Sequence, residues 1–468
     1  MAPLALEDLQ ALVLYAYKGL PRSRYLFLRV VDPPRARRWL GRALAEVPDA
    51  RPARTPARAV HLAFGWPGLV RLGLPEAAAA TFPREFRQGM AHEERARALG
   101  DRGQAAPERW QFGGPEAAPL DLLLMLFATD DGALGALDGR HRRELEAGGL
   151  ALVHAEDGYV APEGREHFGF RDGLSQPAIA GVARRPEAGD EAGAAGEAVA
   201  PGEFVLGYKN EYGALPLSPS VAPDEDRAGL LPALPGGRRD LGRNGTYLVF
   251  RKLAQDVGAF RTYLRHATAR PDGAPDPGAA ALLAARMVGR WPGGAPLVAS
   301  GRDDPALANA NAFSFADDRR GLRCPLGAHV RRCNPRDGLA PGPAASARAS
   351  RRHRLVRRGR PYGPPLPPDC PDDGVDRGLL FVVLNANLRR QFEFIQQTWV
   401  NNPKFDGLSD EDDPLAGARL GGQAHFTVPR DPLRERHHAL PRFVWPRGGG
   451  YFFLPGLRAL RYLAEGLG

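Results

Sequence analysis

Three short stretches hold residue types that can do chemistry. The first is EHFGFRDGLSQP, Glu166 to Pro177, where Asp172 stands beside Gly173 with Phe168, Gly169 and Phe170 just before it. A carboxylate among apolar neighbours holds its proton more readily than one in water, which makes Asp172 a candidate for proton transfer. Asp-Gly pairs at Asp157, Asp272 and Asp337 need nothing beyond a turn to explain them. The second stretch is RCPLGAHVRRCNPRDG, Arg323 to Gly338. Here His329 follows Gly327 and Ala328, small enough to admit a flat ligand to the backbone. Cys324 and Cys333 flank it, so zinc is an alternative, with the distant Cys370 as fourth ligand; the spacing is not a standard zinc pattern. The third stretch is HRLVRRGRPYGPP, His353 to Pro365, which reads either as a strand with exposed arginines or as an arginine held by a strand over a pocket.

These stretches need elements to position them. SRYLFLRVVDPPRARRWL (Ser23 to Leu40) and GTYLVFRKLAQDVGAFRTYL (Gly245 to Leu264) each read as a strand, a break and a helix. DLLLMLFATDDGALGAL (Asp121 to Leu137) and GLLFVVLNANLRRQFEFI (Gly378 to Ile395) each read as an apolar strand followed by a helix. ALVHAEDGYV closes the first half; HFTVPRD and GYFFLPG close the second. Two copies of a split βαβ unit result, an α+β duplication of ferredoxin-like antiparallel sheets with helices on one face. The expected division is an N-terminal domain over 1–215, a linker over 216–244 and a C-terminal domain over 245–468. Residues 184–203 read as a flexible excursion and 338–352 as a second loop-like insert. LPGLRALRYLAEGLG reads as a closing helix.

At 468 residues with 43% hydrophobic content, the chain can bury large cores unaided. Three cysteines argue against a disulfide framework and fit a reducing compartment, the cytoplasm. Neither a secretory leader nor an apolar run long enough to span a bilayer is evident. The net charge of +9 comes mostly from arginine, with lysine only at positions 18, 209, 252 and 404. The arginines are scattered except at Arg348 to Arg360, so a solvated surface is expected rather than a nucleic-acid face.

In order along the chain, GFRDG, CPLGAHVRRCNPR, LVRRGRPYG and RGLLFV resemble the motifs of dye-decolourising peroxidases, and the resemblance extends to FPREFRQGMA and GEFVLGYKNEYG. Length and inserts are most similar to the larger, cytoplasmic-type branch. The resemblance implies two domains of the dimeric α+β barrel type, with haem b in a pocket of the C-terminal one. It implies a peroxidase that uses hydrogen peroxide to oxidise dyes, phenols and other small or bulky aromatic reductants, as a monomer or homo-oligomer, with no nucleic acid or membrane. His329 matches the iron ligand, and Asp413 or its neighbour Asp412 the acid behind it. Asp172 matches the distal aspartate and Arg357, rather than Arg358, the distal arginine. Leu379 and Phe381 match the apolar distal lining. Arg331 and Arg336 are candidates for haem propionates, and His167 for tuning the distal loop or a propionate. Trp399, Tyr362 and Tyr451 are candidate electron relays to bulky donors. The rival is a haem-binding or haem-delivering protein without turnover.

Overall fold

Every residue of the strand Leu122–Ala128 is apolar and buried, the pattern of a strand covered on both faces. Leu122, Leu124 and Leu126 enter one apolar cluster, shared with the helices. Leu123, Met125 and Phe127 enter another. The computed structural model, which describes residues 3–52, 56–182, 198–368, 370–419 and 424–467, builds a nine-stranded antiparallel sheet on this alternation. Its strands are β1 (Arg22–Val30), β2 (Arg58–Phe64), β3 (Leu122–Ala128), β4 (Leu150–Tyr159), β5 (Thr246–Gln255), β6 (Val356–Arg357), β7 (Arg360–Tyr362), β8 (Gly378–Asn385) and β9 (Val444–Leu454). In space the order is β6-β8-β5-β9-β2-β3-β1-β4, with β7 also paired to β8. Each half thus repeats one arrangement, its second, third, first and fourth strands side by side, which is the ferredoxin-like order. Within the sheet ladder the two halves are joined at one residue pair, Phe64 with Phe453. The sheet curls until its edges approach: a Cβ on Gly158 of β4 would stand 3.1 Å from the Arg360 Cβ of β7.

The helices that matter here are α1 (Pro33–Leu44), α2 (Asp131–Leu145), α3 (Val257–Ala267), α4 (Pro277–Val288), α5 (His329–Cys333), α6 (Pro343–Arg352), the π-wound α7 (Arg389–Glu393 continued by Ile395–Val400) and α8 (Leu457–Arg461). Asp32, Asp130, Asp256 and Asp276 cap the first four, each accepting from a backbone N–H three residues on.

Three expectations change. Residues 343–352 form α6 instead of a loop, because the helix needs no apolar face: its buried Ser346 and Ser350 hydroxyls both donate to the Arg336 carbonyl at 2.8 Å. HFTVPRD does not join the main sheet; Phe426–Val428 pairs locally with Glu435–His437. The stretch 216–244 is no free tether, since Val221, Leu231 and Leu241 are buried in the helix-side core. Most of the 184–203 excursion lies outside the described residues; its end is packed, with Glu203 buried and paired to Arg390.

Inside the curl, His61 of β2 is fully buried between the Tyr17 hydroxyl at 2.9 Å and Gln10 Oε1 at 3.1 Å. Burial pushes its pKa down to about 3. The unfolded chain therefore takes up a proton below the ordinary 6.5 that the folded chain refuses until about pH 3. Stability is expected to fall with acidification across this window by about 1.4 kcal/mol per pH unit from this group. Denaturant unfolding of His61→Gln should show a shallower slope over the same range; an unchanged slope would contradict the assignment.

Candidate active site

The loop carrying Asp172 has no long strand partner, so its own side chains hold it. The Glu166 carboxylate accepts from the Phe168 and Phe170 N–H groups at 2.9 and 3.0 Å, and from Gln255 Nε2 of β5 at 2.7 Å. Burial pushes the Glu166 pKa up, against these hydrogen bonds. Gly169 and Gly173 take φ of +95° and +79°. Space around both is open, so it is the left-handed backbone that calls for glycine. Phe168 and Phe170 pack into a core with residues of α3 and α4, Phe168 lying 4.5 Å from Phe260. They turn away from Asp172, whose side chain is 46% exposed. Phe168 and Phe170 thus do not supply the apolar setting expected for this carboxylate, because they are buried against other elements.

Gln176 joins this loop to β6. Its Nε2 donates to the Arg357 carbonyl at 3.1 Å and its Oε1 accepts from the Arg357 N–H at 3.0 Å, mimicking a strand partner. Arg357 Nη1 then stands 3.5 Å from Asp172 Oδ1. Both line a cavity of about 470 Å³, as does Leu379 of β8. Arg358 is turned to the Leu12 and Val13 carbonyls, so of the two neighbours it is Arg357 that reaches Asp172. Phe381 lies two residues beyond Leu379 and is half-buried, its ring 6.1 Å from that of Phe392. His167 donates from Nε2 to the Tyr362 carbonyl at 2.8 Å and so ties the start of the loop to β7; burial lowers its pKa.

His329 begins α5. Its Nδ1 lies 2.9 Å from Asp413 Oδ2. Asp413 is fully buried, and its other oxygen accepts from the Leu415 and Ala416 N–H groups, each at 2.9 Å. Asp412 pairs with Arg419 instead. The geometry therefore separates two acids that adjacency had left open. Burial works against a charged imidazole, but Asp413 and the nearby Cys333 outweigh it and hold the His329 pKa well above its ordinary value. Burial likewise opposes ionisation of Asp413, yet His329 keeps its pKa below the usual range. With Nδ1 engaged, Nε2 is the nitrogen presented to a metal, a donor set with an orienting carboxylate that suits iron.

Several sequence expectations are corrected here. Gly327 is small to accommodate Glu411, whose Oε1 would stand 2.2 Å from a Cβ there, not a flat ligand. Arg331 is 1% exposed, bonded to Asp318 and the Cys324 carbonyl and stacked over Phe315; it is structural and does not reach a ligand. Cys324 is buried in that same cluster, its thiol pushed up to about 12 by burial, while Cys370 is exposed, so the three cysteines do not form a zinc set with His329. Arg336, at φ +54°, donates to Asn311 Oδ1 at 2.7 Å and lies near Ser175 Oγ at 3.4 Å. Arg290 also reaches Asn311, and Arg354 donates to the Ser175 carbonyl. Nothing in the sequence marks Gln176 as part of the cavity wall, or places Asn311, Arg290 and Arg354 around Arg336 and Ser175, because their partners are backbone groups or distant residues. Trp399, Tyr362 and Tyr451 are all buried. The Tyr362 hydroxyl donates to Asp376 at 2.8 Å, and that of Tyr451 to Glu393, also at 2.8 Å; the Trp399 ring packs edge-on to His353 and Phe394.

Asp413→Asn removes one charge of a buried pair, a change expected to cost about 3 kcal/mol or more. Because the His329 pKa is raised and that of Asp413 lowered, the lost stabilisation is fully present between about pH 4 and 6.5 and fades as pH rises through the raised histidine value. Chemical denaturation of the metal-free wild type and variant across pH 4–9 tests this; a difference that grows with pH would contradict it.

No family model matches the chain. Among curated proteins it is 32% identical over 450 residues to the dye-decolorizing peroxidase of Mycena epipterygia, covering 87% of this chain and 76% of that one. Among solved structures, an ancestral D-type dye-decolorizing peroxidase superposes with TM-score 0.78 at 28% identity, over 98% of this chain and 99% of that one. A dye-decolorizing peroxidase in complex with 2,6-dimethoxyphenol gives TM-score 0.76 at 27% identity, over 99% of this chain and all of that one. Sequence identity at this level over most of both chains, on the same fold, shows that the chain belongs to the dye-decolorizing peroxidase family.

Proposed function

We propose that the chain is a haem b peroxidase that uses hydrogen peroxide to oxidise dyes, phenols and other aromatic donors one electron at a time. Members of this family are haem enzymes, and when bound the haem supplies a redox-active iron at which peroxide is cleaved and from which single oxidising equivalents pass to donors. His329 would hold the iron through Nε2, with Asp413 fixing the ring and raising its donor strength. Arg336, within the group formed by Arg290, Arg354 and Asn311, is the residue we assign to haem carboxylates, since guanidinium recognises them bidentately.

The observation that carries this reading is the Asp172 carboxylate 3.5 Å from the Arg357 guanidinium on the wall of one cavity. Asp172 takes the proton from one peroxide oxygen and returns it to the other. Arg357 offsets the negative charge that develops as the O–O bond breaks. Leu379 and Phe381 restrict what approaches to something near the size of peroxide. A haem carrier needs neither Asp172 nor Arg357, so their convergence favours turnover. Bulky donors then react away from the cavity, and of the three aromatic candidates we assign Tyr362, whose hydroxyl donates to the half-exposed Asp376, a ready acceptor for the phenolic proton.

No helix among the described residues is long and apolar enough to cross a membrane. We further propose a cytoplasmic enzyme, monomeric or homo-oligomeric, that does not bind nucleic acid. Supporting the last point, Arg354, Arg358 and Arg360 of the basic run are turned to backbone carbonyls.

Asp172→Asn is expected to lower kcat/KM for peroxide about 10²- to 10⁴-fold, and Arg357→Leu about 10²-fold or more, with haem binding retained in both. Stopped-flow absorption of the Soret band on mixing with peroxide measures this directly. Tyr362→Phe should slow turnover of a bulky dye while leaving the peroxide step intact. A haem-loaded wild type that ignores peroxide would favour the carrier reading.

A further inference from the structure

His329, Cys333 and Asp413 each offer a metal-ligating atom, and these atoms all lie within 4.8 Å of one another. We infer that in the haem-free chain this trio is a binding site for a divalent cation of the zinc or cobalt type. His329 and Cys333 are one helical turn apart on α5, which places both side chains on one face. Cys333 Sγ is 3.7 Å from Nδ1 and 3.8 Å from Nε2 of that ring, and Nδ1 is 2.9 Å from Asp413 Oδ2. A tetrahedral ion with bonds of about 2.0 Å to nitrogen and oxygen and about 2.3 Å to sulfur wants its donors roughly 3.3–3.6 Å apart. Against Nδ1 the sulfur closes by a few tenths of an ångström and the carboxylate opens by a similar amount, while sulfur and carboxylate, which lie within 4.8 Å of each other, close by up to roughly 1.3 Å. Asp413 can present Oδ2 because Oδ1 is held by the Leu415 and Ala416 N–H groups.

Thiolate, imidazole and carboxylate form a donor set that suits zinc, and the two anions match the charge of the ion. That match matters because buried Arg332, bonded to the Trp399 and Asn402 carbonyls, adds a positive charge behind Asp413. A sulfur almost equally far from both nitrogens lies over the ring face, not in its plane. The ring must therefore turn for an ion at Nδ1 to sit in plane and bind sulfur too. If His329 is the iron ligand, as proposed above, zinc and haem compete for the orientation of one ring.

Cobalt(II) titration of the haem-free Cys370→Ser protein, which removes the exposed thiol, tests the site. One equivalent should produce thiolate-to-cobalt charge-transfer absorption in the near ultraviolet and tetrahedral bands in the visible, and zinc should erase both. Adding Cys333→Ser should abolish the charge transfer and weaken zinc binding at least about tenfold, with Cys333→Thr as a second variant and circular dichroism confirming the fold of each. Absence of the band, or its survival in both Cys333 variants, would overturn the proposal. In a second arm, zinc should delay haem uptake by Cys370→Ser but not by Cys370→Ser/Cys333→Ser. Equal delays would overturn the competition, whereas no haem uptake by either protein would count against the haem function and leave the cobalt result standing.

Discussion

The site depends on two hydrogen bonds through which Gln176 borrows the backbone of Arg357, 181 residues further along the chain. The Asp172 loop forms no extended pairing, and the half-exposed Asp172–Arg357 ion pair is worth at most about 1 kcal/mol. That pair cannot hold the loop in place. The Gln176 clasp, the Glu166 clamp within the loop and the His167 bond to Tyr362 do so instead. The two charged groups are thereby left to chemistry, because no part of the architecture relies on their staying paired.

Asp172 and Asp413 live in opposite surroundings. Asp172 is half-exposed and faces Arg357. Asp413 is sealed off with both oxygens engaged, so removing its histidine partner would strand a buried charge. That penalty orients the imidazole and keeps Nε2 aimed consistently. Cys333, one turn along α5, shares the same small volume.

Much of the fold was legible because its signals are local. The unbroken apolar run of β3 and the Asp caps before α1 to α4 need only neighbouring residues to be understood. Where the reading failed, the missing information was not local. The segment 343–352 looks like a loop because a helix is usually recognised by its apolar stripe, and α6 buries serines whose partner is the carbonyl of Arg336. HFTVPRD alternates like a sheet strand, but alternation does not say which partner a strand will find. Phe168 and Phe170 suggested an apolar cover for Asp172, yet adjacency along a loop does not set the direction in which a ring is buried.

By itself the sequence determined the repeated strand and helix order, the glycines that a left-handed loop requires, and the residue types able to move a proton, hold a metal and stabilise an anion. These follow from backbone sterics, hydrophobic periodicity and side-chain chemistry, which act over a few residues. Only the tertiary structure chose Asp413 over Asp412, turned Arg357 and not Arg358 toward Asp172, and removed Arg331 from the site. Each of those choices rests on hydrogen bonds or burial between segments far apart in the chain, and closure of the curled sheet is what brings such segments within reach.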